Sequence, residues 1–316
     1  MNQEPLQTCL VASATTARYG FGGGHPFGTD RQAVFLRELH AQGLHAQILQ
    51  LDSRTASRAE LESFHEPEFV ERVMQRSRSG GGYLDGGDTP AFIGVFEVAS
   101  HVVGAGLVAL EAIMDGRARR GFVPIGGLHH AARKAAAGFC VFNDCGVVIE
   151  QLRRRYGLRR VAYVDIDAHH GDGVFYGFED DPDVLFADMH EDGRSLYPGT
   201  GRADESGRGP ARGTKLNIPM PAGSDDVAFM AAWERIEAYL VANEPEFILL
   251  QAGTDSINGD PLTHLAYSAA AHGHAAARLA QLADRYCQGR LLAFGGGGYN
   301  HQNLASGWTR VLSALL

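Results

Sequence analysis

A short stretch of the chain, DIDAHHGD at residues 165–172, carries five side chains of the types that bind metals or move protons. It ends an apolar run of strand length, and side chains on one face of a strand repeat every two residues. Asp165, Asp167 and His169 should therefore point to the same side. A carboxylate and an imidazole at this spacing can both reach one metal ion. This mixed donor set suits Zn²⁺ or Fe²⁺ better than Mg²⁺ or Ca²⁺.

A catalytic metal usually has a third protein ligand and one open position. Asp255, in the segment QAGTDSINGDP, is the candidate because it also follows an apolar run. A single Asp or His at a strand end often caps a helix or solvates a loop, so none of these residues indicates a site by itself. Their number, and their recurrence after separate apolar runs, favours metal-assisted hydrolysis.

Two further segments carry groups suited to acid–base chemistry. His129 and His130 stand side by side in GGLHHA, and histidine accepts and donates protons near neutral pH. Tyr299 follows four glycines, among them Gly297, which allow the backbone to approach a substrate closely. A phenol there would donate to an oxyanion. The alternatives are an aromatic lid or a phosphate-binding loop, but GGGGYN lacks the glycine patterns of phosphate loops.

These residues need a scaffold that brings them together. Helices are predicted over 30–42, 57–64, 91–115, 143–156, 225–243, 267–286 and 301–315. Apolar runs of strand length lie at 122–126, 161–166, 184–189, 215–220, 247–253 and 291–296. Runs that are apolar on both faces and alternate with helices predict a parallel sheet covered on both sides. The ionisable clusters follow four of these strands directly, and the C-terminal strand ends of such a sheet form one crevice.

The bulk composition is typical of a globular protein. The chain has 316 residues, of which 45% are hydrophobic and 21% are charged, and we expect one domain over 1–316. The net charge of −9 argues against direct binding of nucleic acids. Segment 91–114 is strongly apolar, but Glu97, His101 and Glu111 interrupt it. It therefore predicts a buried helix and no association with a membrane. The oligomeric state is not specified by these patterns.

The cysteines and the N-terminus predict a cytoplasmic protein. Cys9, Cys140, Cys145 and Cys287 are scattered and form no CxxC pair, which favours reduced thiols over disulfides or a zinc–sulfur site. Residues 1–20 contain no basic region followed by a sustained apolar run, so they do not indicate a signal peptide.

Taken together, the motifs resemble those of the zinc-dependent histone deacetylase superfamily, which includes acetoin-utilisation and acetylpolyamine amidohydrolase relatives. The matching segments, in order, are GGGHPFGTDR, FHEPEFVERV, GGLHHA, GFCVFND, DIDAHHGDG, LYPGTG, QAGTDSINGDPL and FGGGGYN. They extend over nearly the whole chain. The resemblance implies an arginase-deacetylase-like three-layer α/β/α fold with a central, mostly parallel sheet. It also implies hydrolysis of an acyl amide, with Nε-acyl-lysine in a protein or peptide as the leading substrate.

The resemblance assigns the metals. Asp167, His169 and Asp255 would hold Zn²⁺, with Fe²⁺ as the alternative metal in the cell. A structural K⁺ would bind close to the zinc through backbone oxygens around Asp165, Asp167 and His169, with a contribution from Asp188. His170 stands beside a ligand, but the resemblance gives it no metal bond, so we expect it to support the loop.

The resemblance also assigns the catalytic groups. His129 would pair with Asp165, and His130 would pair with Asp172. His130 is the expected general base, while His129 would act electrostatically or as a proton donor. Tyr299 would polarise the scissile carbonyl. Because this tyrosine is present, the weakly active branch of the family that carries histidine there is disfavoured.

A narrow tunnel for the acyl-lysine chain is implied as well. Its expected walls are Gly138 and Phe139 on one side and Tyr197 on the other, with Leu262 at the rim. Asp88, in a loop that varies in the family, would hold the substrate backbone. Together with Gly297, these are the predicted substrate-binding residues. Arg31 matches an arginine near the internal cavity that receives released acetate.

Three alternatives remain at this point. The binuclear-manganese ureohydrolases share the fold, but Gly171 and Ile257 stand where that family places ligands of a second metal. A deacetylase of acetylpolyamines or other small acylated amines is the second alternative. Leu262 disfavours it, since one polyamine-selective branch has glutamate there. A non-catalytic acyl-lysine binder is the third, and we would expect such a protein to have lost a ligand, a tandem histidine or Tyr299.

Overall fold

In the computed structural model, which describes residues 7–316, the centre of the fold is an eight-stranded sheet whose neighbouring strands are all parallel. The strands are β1 (Thr8–Val11), β2 (Leu49–Leu51), β3 (Arg120–Val123), β4 (Val161–Asp165), β5 (Val184–Glu191), β6 (Lys215–Met220), β7 (Phe247–Gln251) and β8 (Leu291–Phe294). Their spatial order is β2-β1-β3-β8-β7-β4-β5-β6. Residues 1–6, which carry part of the stretch predicted not to be a signal peptide, lie outside the described residues.

Helices cover both faces of the sheet. They are α1 (Arg31–Ala41), α2 (Arg58–Leu61), α3 (Pro67–Ser79), α4 (Val95–Met114), α5 (Asp144–Tyr156), α6 (Asp172–Gly177), α7 (Asp226–Asn243), α8 (Ala269–Tyr286) and α9 (His301–Leu315). One layer contains α1, α7, α8 and α9, and the other contains α3, α4 and α5. The predicted three-layer α/β/α fold is confirmed, and the sheet is parallel throughout instead of mostly parallel.

The sequence signals at the helix ends have clear structural counterparts. Ser57 and Glu60 form a capping box at the start of α2, as their spacing predicts. The side chain of Asn143 accepts a hydrogen bond from the Gly146 amide and so begins α5. Gly157 ends that helix with a left-handed φ of 68°. Because α5 ends before Gly157, the chain can turn and enter β4 at Val161.

The strand order explains how distant segments reach one crevice. β3, β8, β7 and β4 are consecutive neighbours in the sheet. The segments GGLHH, GGGGY, TDSINGD and DIDAHH follow these four strands in turn. Because the strands are parallel, all four segments leave the same edge of the sheet.

Helix α4 and the four cysteines are buried in the core of the fold. Helix α4 is long and apolar enough to cross a membrane, but 72% of its most apolar window is buried inside the protein. This matches the prediction of a core helix for this segment. All four cysteines are buried and unpaired, as expected for reduced thiols.

Gly104 lets the segment around Arg54 cross α4 at close range. A Cβ at this position would overlap the carbonyl oxygen of Arg54, and the nearby Ala56 amide donates to Ser100 of the helix over 3.0 Å. We expect Gly104→Ala to lower the free energy of unfolding by about 1–3 kcal/mol, because the backbone must shift to avoid the overlap. Denaturant unfolding followed by circular dichroism measures the change.

The matched control is Gly273→Ala, a glycine inside α8. A Cβ there would meet the side chain of Arg310 at 3.5 Å, which is ordinary van der Waals contact. This substitution should leave stability within about 1 kcal/mol of wild type, on the stabilising side. Equal destabilisation by both changes would contradict the close crossing as the cause.

Candidate active site

Three buried side chains meet where β4 and β7 end. Nδ1 of His169 lies 3.1 Å from Oδ1 of Asp167 and 3.1 Å from Oδ2 of Asp255. Their ligand-type atoms lie within 4.8 Å of one another. Two ligands of a tetrahedral ion with bonds of about 2.0–2.1 Å would be about 3.3 Å apart, so the spacing suits one small ion. The structure thus brings together the three residues predicted to bind metal.

The electrostatics of this group favour a cation at its centre. Two carboxylates and one imidazole are buried there, with exposures of 0–9%. Burial, together with repulsion from Asp167, raises the pKa of Asp255 to about 7. Burial opposes the charged form of His169, but hydrogen bonds to the two carboxylates outweigh it and raise the pKa to about 10. Protons on His169 and Asp255 thus offset negative charge in the group, and a divalent metal would take their place.

The carboxylates are held by one side chain and two backbone amides, and of these three residues the sequence predicted only Gly297. Gln251, the last residue of β7, donates from Nε2 to Oδ2 of Asp167 over 2.8 Å, and the Gly297 amide donates to the same oxygen over 2.9 Å. The Ala168 amide donates to Oδ1 of Asp255 over 2.9 Å. A side chain at Gly297 would overlap Asp255, which explains the glycine there. Gly297 therefore lies directly against the candidate metal ligands Asp167 and Asp255.

The tandem histidines lie beside the metal group, each on its own carboxylate. Nδ1 of His129 is 2.8 Å from Asp165, and Nδ1 of His130 is 2.7 Å from Asp172. Asp165 also accepts a hydrogen bond of 2.6 Å from the Tyr163 hydroxyl. These pairings are those that the sequence comparison implied, whereas Tyr163 was not among the predicted residues.

The two imidazoles lie close together. Each Nδ1 is paired with a carboxylate, so the two Nε2 atoms face each other. They are 3.1 Å apart, a hydrogen-bonding distance at which one of the two rings would carry the proton. Burial and the neighbouring His129 lower the pKa of His130. His130 is therefore favoured in its neutral form, which is the form that a general base needs.

The turn that carries His129 and His130 is held in place by side chains at the start of α5. Asp144 accepts hydrogen bonds from the amides of Gly127 and Leu128, at 2.9 and 2.7 Å. Asn143 donates from Nδ2 to the carbonyl oxygen of His129 over 3.2 Å. Burial raises the pKa of Asp144 to about 6. Both side chains belong to the motif GFCVFND, and their contacts give that motif a structural role.

One wall of the cleft is built from Gly138 and Phe139. A side chain at Gly138, whose φ is 53°, would overlap the ring of His130. Phe139 has a φ of 67°, which is unusual for a residue with a side chain. Thr89 Oγ1 accepts from its amide over 3.1 Å, and the Tyr19 hydroxyl donates to its carbonyl over 2.8 Å. These bonds hold the strained backbone in place. Tyr19 is a further residue that was not predicted.

Tyr299 faces this wall. Its ring packs edge-on against Phe139 and Phe27, with centroids 5.9 and 6.4 Å apart. Among residues 7–316 its hydroxyl has no hydrogen-bond partner, so it is free to donate to a substrate. Burial raises the pKa of this phenol well above its usual value, which keeps it protonated. The guanidinium of Arg31 lies behind, donating to the carbonyls of Gly296 and Gly298.

The remaining predicted residues lie nearer the surface. The ring of Tyr197 packs edge-on against that of His130, at 5.2 Å between centroids, and is 45% exposed. Leu262 is 38% exposed. Asp88 is exposed in a loop that Asp85 organises by accepting three backbone hydrogen bonds. Burial and the neighbouring Asp85 raise the pKa of Asp88 to about 6.

The centre of the site is a small cavity of about 20 Å³, which is room for roughly one water molecule or ion. His129, His130, Asp167, His169, Asp255 and Tyr299 are among its lining residues. His170 is not; its Nδ1 lies 2.8 Å from Oγ1 of Thr200, on the far side of the loop.

Comparisons with known proteins agree with this geometry. A family model described as the histone deacetylase domain matches residues 25–315. Acetoin utilization protein AcuC of Bacillus subtilis is 36% identical over 311 residues, covering 96% of this chain and 80% of that protein. Histone deacetylase 14, chloroplastic, of Arabidopsis thaliana is 34% identical over 297 residues, covering 90% and 70%. The crystal structure of the HDA15 HD domain superposes with a TM-score of 0.90 at 28% identity, covering 98% of this chain and 89% of that one.

The resemblance seen in the motifs is confirmed by these matches, which span nearly the whole chain. They also agree with the fold, since a structure of the same architecture superposes over 98% of the residues. The chain belongs to the histone deacetylase family of metal-dependent, typically zinc-dependent, deacetylases.

Proposed function

We propose that this deacetylase hydrolyses the acyl amide of Nε-acyl-lysine in proteins or peptides. The observation that carries the proposal is the joint placement of a three-ligand group and a tandem histidine pair at the base of one cleft, beneath Tyr299. The cleft is bordered by aromatic rings, which suit an acyl-lysine chain in extended form. The matched histone deacetylases support the reaction class.

The donor set fits zinc, and we propose Asp167, His169 and Asp255 as its ligands. One nitrogen and two carboxylate oxygens leave room for a fourth position, as catalytic zinc requires. When bound, the metal would act as a Lewis acid on the scissile carbonyl and on water. The same donors suit Fe²⁺, which stays the alternative. A structural K⁺ near the backbone of Asp165 also stays a prediction.

The protein's own groups can supply the proton transfers. His130, held by Asp172, would take a proton from the attacking water at Nε2. His129, held by Asp165, would act electrostatically beside it or as a proton donor. The Tyr299 hydroxyl would donate a hydrogen bond to that oxyanion. The protonated histidine pair would then return a proton to the departing amine.

The substrate would enter between the wall residues. We propose that Gly138, Phe139 and Tyr197 enclose the acyl-lysine stem, with Leu262 at the rim. Asp88 would accept hydrogen bonds from the substrate backbone, while Gly297 lines the base of the cleft. We further propose a cytoplasmic location with no direct partner among nucleic acids or membranes, in line with the negative net charge.

A small acylated amine is the second candidate substrate. Asp85 and Asp88 place carboxylates at the rim, and a polyamine carries positive charges that such groups attract. Leu262 weighs against this alternative, because it offers no charge to a second ammonium group.

Parallel assays distinguish the two substrates. We expect kcat/KM for acetyl-lysine peptides to exceed that for N-acetylputrescine by at least about tenfold, since the peptide adds backbone contacts at the rim. Initial rates measured with both substrates under the same metal loading give the ratio. A preference for the small amine would overturn the proposal for lysine and favour the alternative.

A further inference from the structure

A buried carboxylate links two surface segments at the mouth of the site. Glu191 is the last residue of β5, and its side chain is fully buried. Its Oε2 accepts from the His264 amide over 2.8 Å. Its Oε1 accepts from the His264 ring over 3.0 Å and from the Ser195 hydroxyl over 3.0 Å. These three hydrogen bonds to the carboxylate thus come from residues in two segments, 192–199 and 258–266.

Each segment carries one of the residues proposed above for the mouth of the cleft. Segment 192–199 contains Tyr197, two residues beyond Ser195. Segment 258–266 contains Leu262, two residues before His264. We call 192–199 and 258–266 the rim segments. Glu191 is therefore the point at which the Tyr197 side and the Leu262 side of the opening are joined.

The rim segments are also connected to the chemistry below them. Asp260 accepts from the Leu262 amide over 3.0 Å and from the Tyr299 amide over 2.8 Å. The Glu191 amide donates to the carbonyl of Ala168, between two predicted metal ligands, over 2.9 Å. These bonds hold the inner ends of the rim segments to the base of the cleft, and none of them depends on the Glu191 side chain.

A contribution to folding stability alone does not explain why residue 191 is a buried carboxylate. A buried carboxylate is costly unless hydrogen bonds replace its water, and an apolar residue of similar size would avoid that cost. Here the hydrogen bonds replace the water, and they connect two segments that are otherwise held by separate bonds, such as Asp192 to Met220 in one and Ala266 to Ser224 in the other. His264 itself is 63% exposed, so the bond restrains a residue at the surface.

We propose that Glu191 is a positioning residue that sets the width of the substrate opening, through which the acyl chain must pass to reach the base of the cleft, and with it the size of the acyl chain that the enzyme admits. This inference rests on the proposed acyl-lysine function and extends it to specificity. Fixing Ser195 and His264 on one carboxylate holds Tyr197 and Leu262 at a set separation. Releasing the carboxylate should let the opening widen without altering the catalytic groups.

The test compares Glu191→Gln and Glu191→Ala with wild type on acetyl-lysine and hexanoyl-lysine peptides. For Glu191→Ala we expect KM for the acetyl peptide to rise about tenfold while kcat stays within about threefold, since the change weakens binding and leaves the chemistry in place. The ratio of kcat/KM for hexanoyl over acetyl should rise by at least about threefold. Glu191→Gln keeps the shape and one acceptor oxygen, so it should fall between.

Amide hydrogen exchange supplies a second measurement. In both Glu191 variants the His264 amide and the amides of 192–199 should exchange faster, with the remainder of the chain unchanged. If Glu191→Ala does not fold, Ser195→Ala removes one of the three bonds at an exposed residue and should move both readouts in the same direction by less. Glu237→Gln, which loses a carboxylate far from the cleft that pairs with Arg278, is the matched control.

Unchanged KM and unchanged acyl-chain ratio in both Glu191 variants would overturn the inference. Exchange that becomes faster throughout the chain, with kcat falling equally for both peptides, would also overturn it, because that pattern indicates a general structural role. Failure of the proposed function would look different: wild-type enzyme would itself be inactive on both peptides, while the exchange changes would still be confined to the rim segments.

Discussion

Asp255→Ala is expected to abolish metal binding and to reduce deacetylation by at least about 10³-fold. A bound metal contributes several kcal/mol to transition-state stabilisation, and each 1.4 kcal/mol or so is a factor of ten in rate. Asp255 supplies one of the three ligand atoms and lies 3.1 Å from His169, so its loss leaves two donors. The measurements are metal content by mass spectrometry after dialysis, and kcat/KM on an acetyl-lysine peptide.

Chelation and add-back make this prediction specific to the metal. Wild-type enzyme stripped with a chelator should regain activity when Zn²⁺ or Fe²⁺ is added, and Asp255→Ala should not. The control is Asp204→Ala, an exposed aspartate that pairs with Arg202 at the surface, which should behave as wild type. An Asp255→Ala variant that keeps stoichiometric metal and near-normal turnover would exclude Asp255 as a ligand.

Much of the fold could be predicted because its central elements are long and strongly patterned. The helices predicted at 143–156 and 225–243 begin one residue later than predicted and end as predicted, and the helix at 301–315 agrees at both ends. Short elements were missed: β2 has three residues, which is too few for a pattern to emerge. Helix α3 was also missed, although Pro67 at its first turn is a typical start signal.

One strand shows how a tertiary contact overrides local pattern. β3 begins at Arg120, two residues before the apolar run that predicted it. Arg120 is buried because its guanidinium donates to Asp284 over 2.9 Å and to the Leu315 carbonyl over 3.2 Å. Both partners lie more than 160 residues away in sequence, so no local signal predicts that an arginine belongs to this strand.

The candidate site likewise contains residues that the sequence could predict and residues that only their tertiary contacts identify. The chemistry-bearing residues could be listed from their types and spacing, and the family resemblance supplied their pairing. Tyr19, Tyr163 and Gln251 were not found, because a tyrosine or glutamine carries no signal of its own in a single sequence. Their roles come from contacts such as the 2.8 Å bond from Gln251 to Asp167, which joins positions 84 apart.

The structure also bears on the ureohydrolase alternative. A Cβ at Gly171 would lie 2.7 Å from the carboxylate of Asp165, and the Gly171 amide donates to Asp188 over 2.8 Å. An aspartate there would place a further negative charge against two others. Ile257 is buried, with 5% exposure. Within residues 7–316, a single group of three metal-type ligands lies close enough for an ion, as a one-metal site requires.

The histidine pair leads to the second large effect. His130→Ala should lower kcat by about 10²–10⁴-fold, the range typical of a general base, with metal content unchanged. The reason is local: burial and His129 lower the pKa of His130, which favours the neutral ring that a general base needs. His129→Ala should cost less, because it removes a charge and leaves the base. Single-turnover rates on an acetyl-lysine peptide isolate the chemical step.

Two comparisons decide whether the effect belongs to the proton transfer. In the wild type, Asp172 lies 2.7 Å from Nδ1 of His130. Asp172→Asn keeps the shape of this side chain but weakens the hydrogen bond, so kcat should fall while KM changes little. His101→Ala removes a partly exposed histidine that contacts Ser53 and Thr55, and it should leave turnover intact. If His129→Ala proved far more damaging than His130→Ala, the two roles would be reversed. His129 would then be the base that accepts the proton from water, and His130 would act electrostatically or as the proton donor.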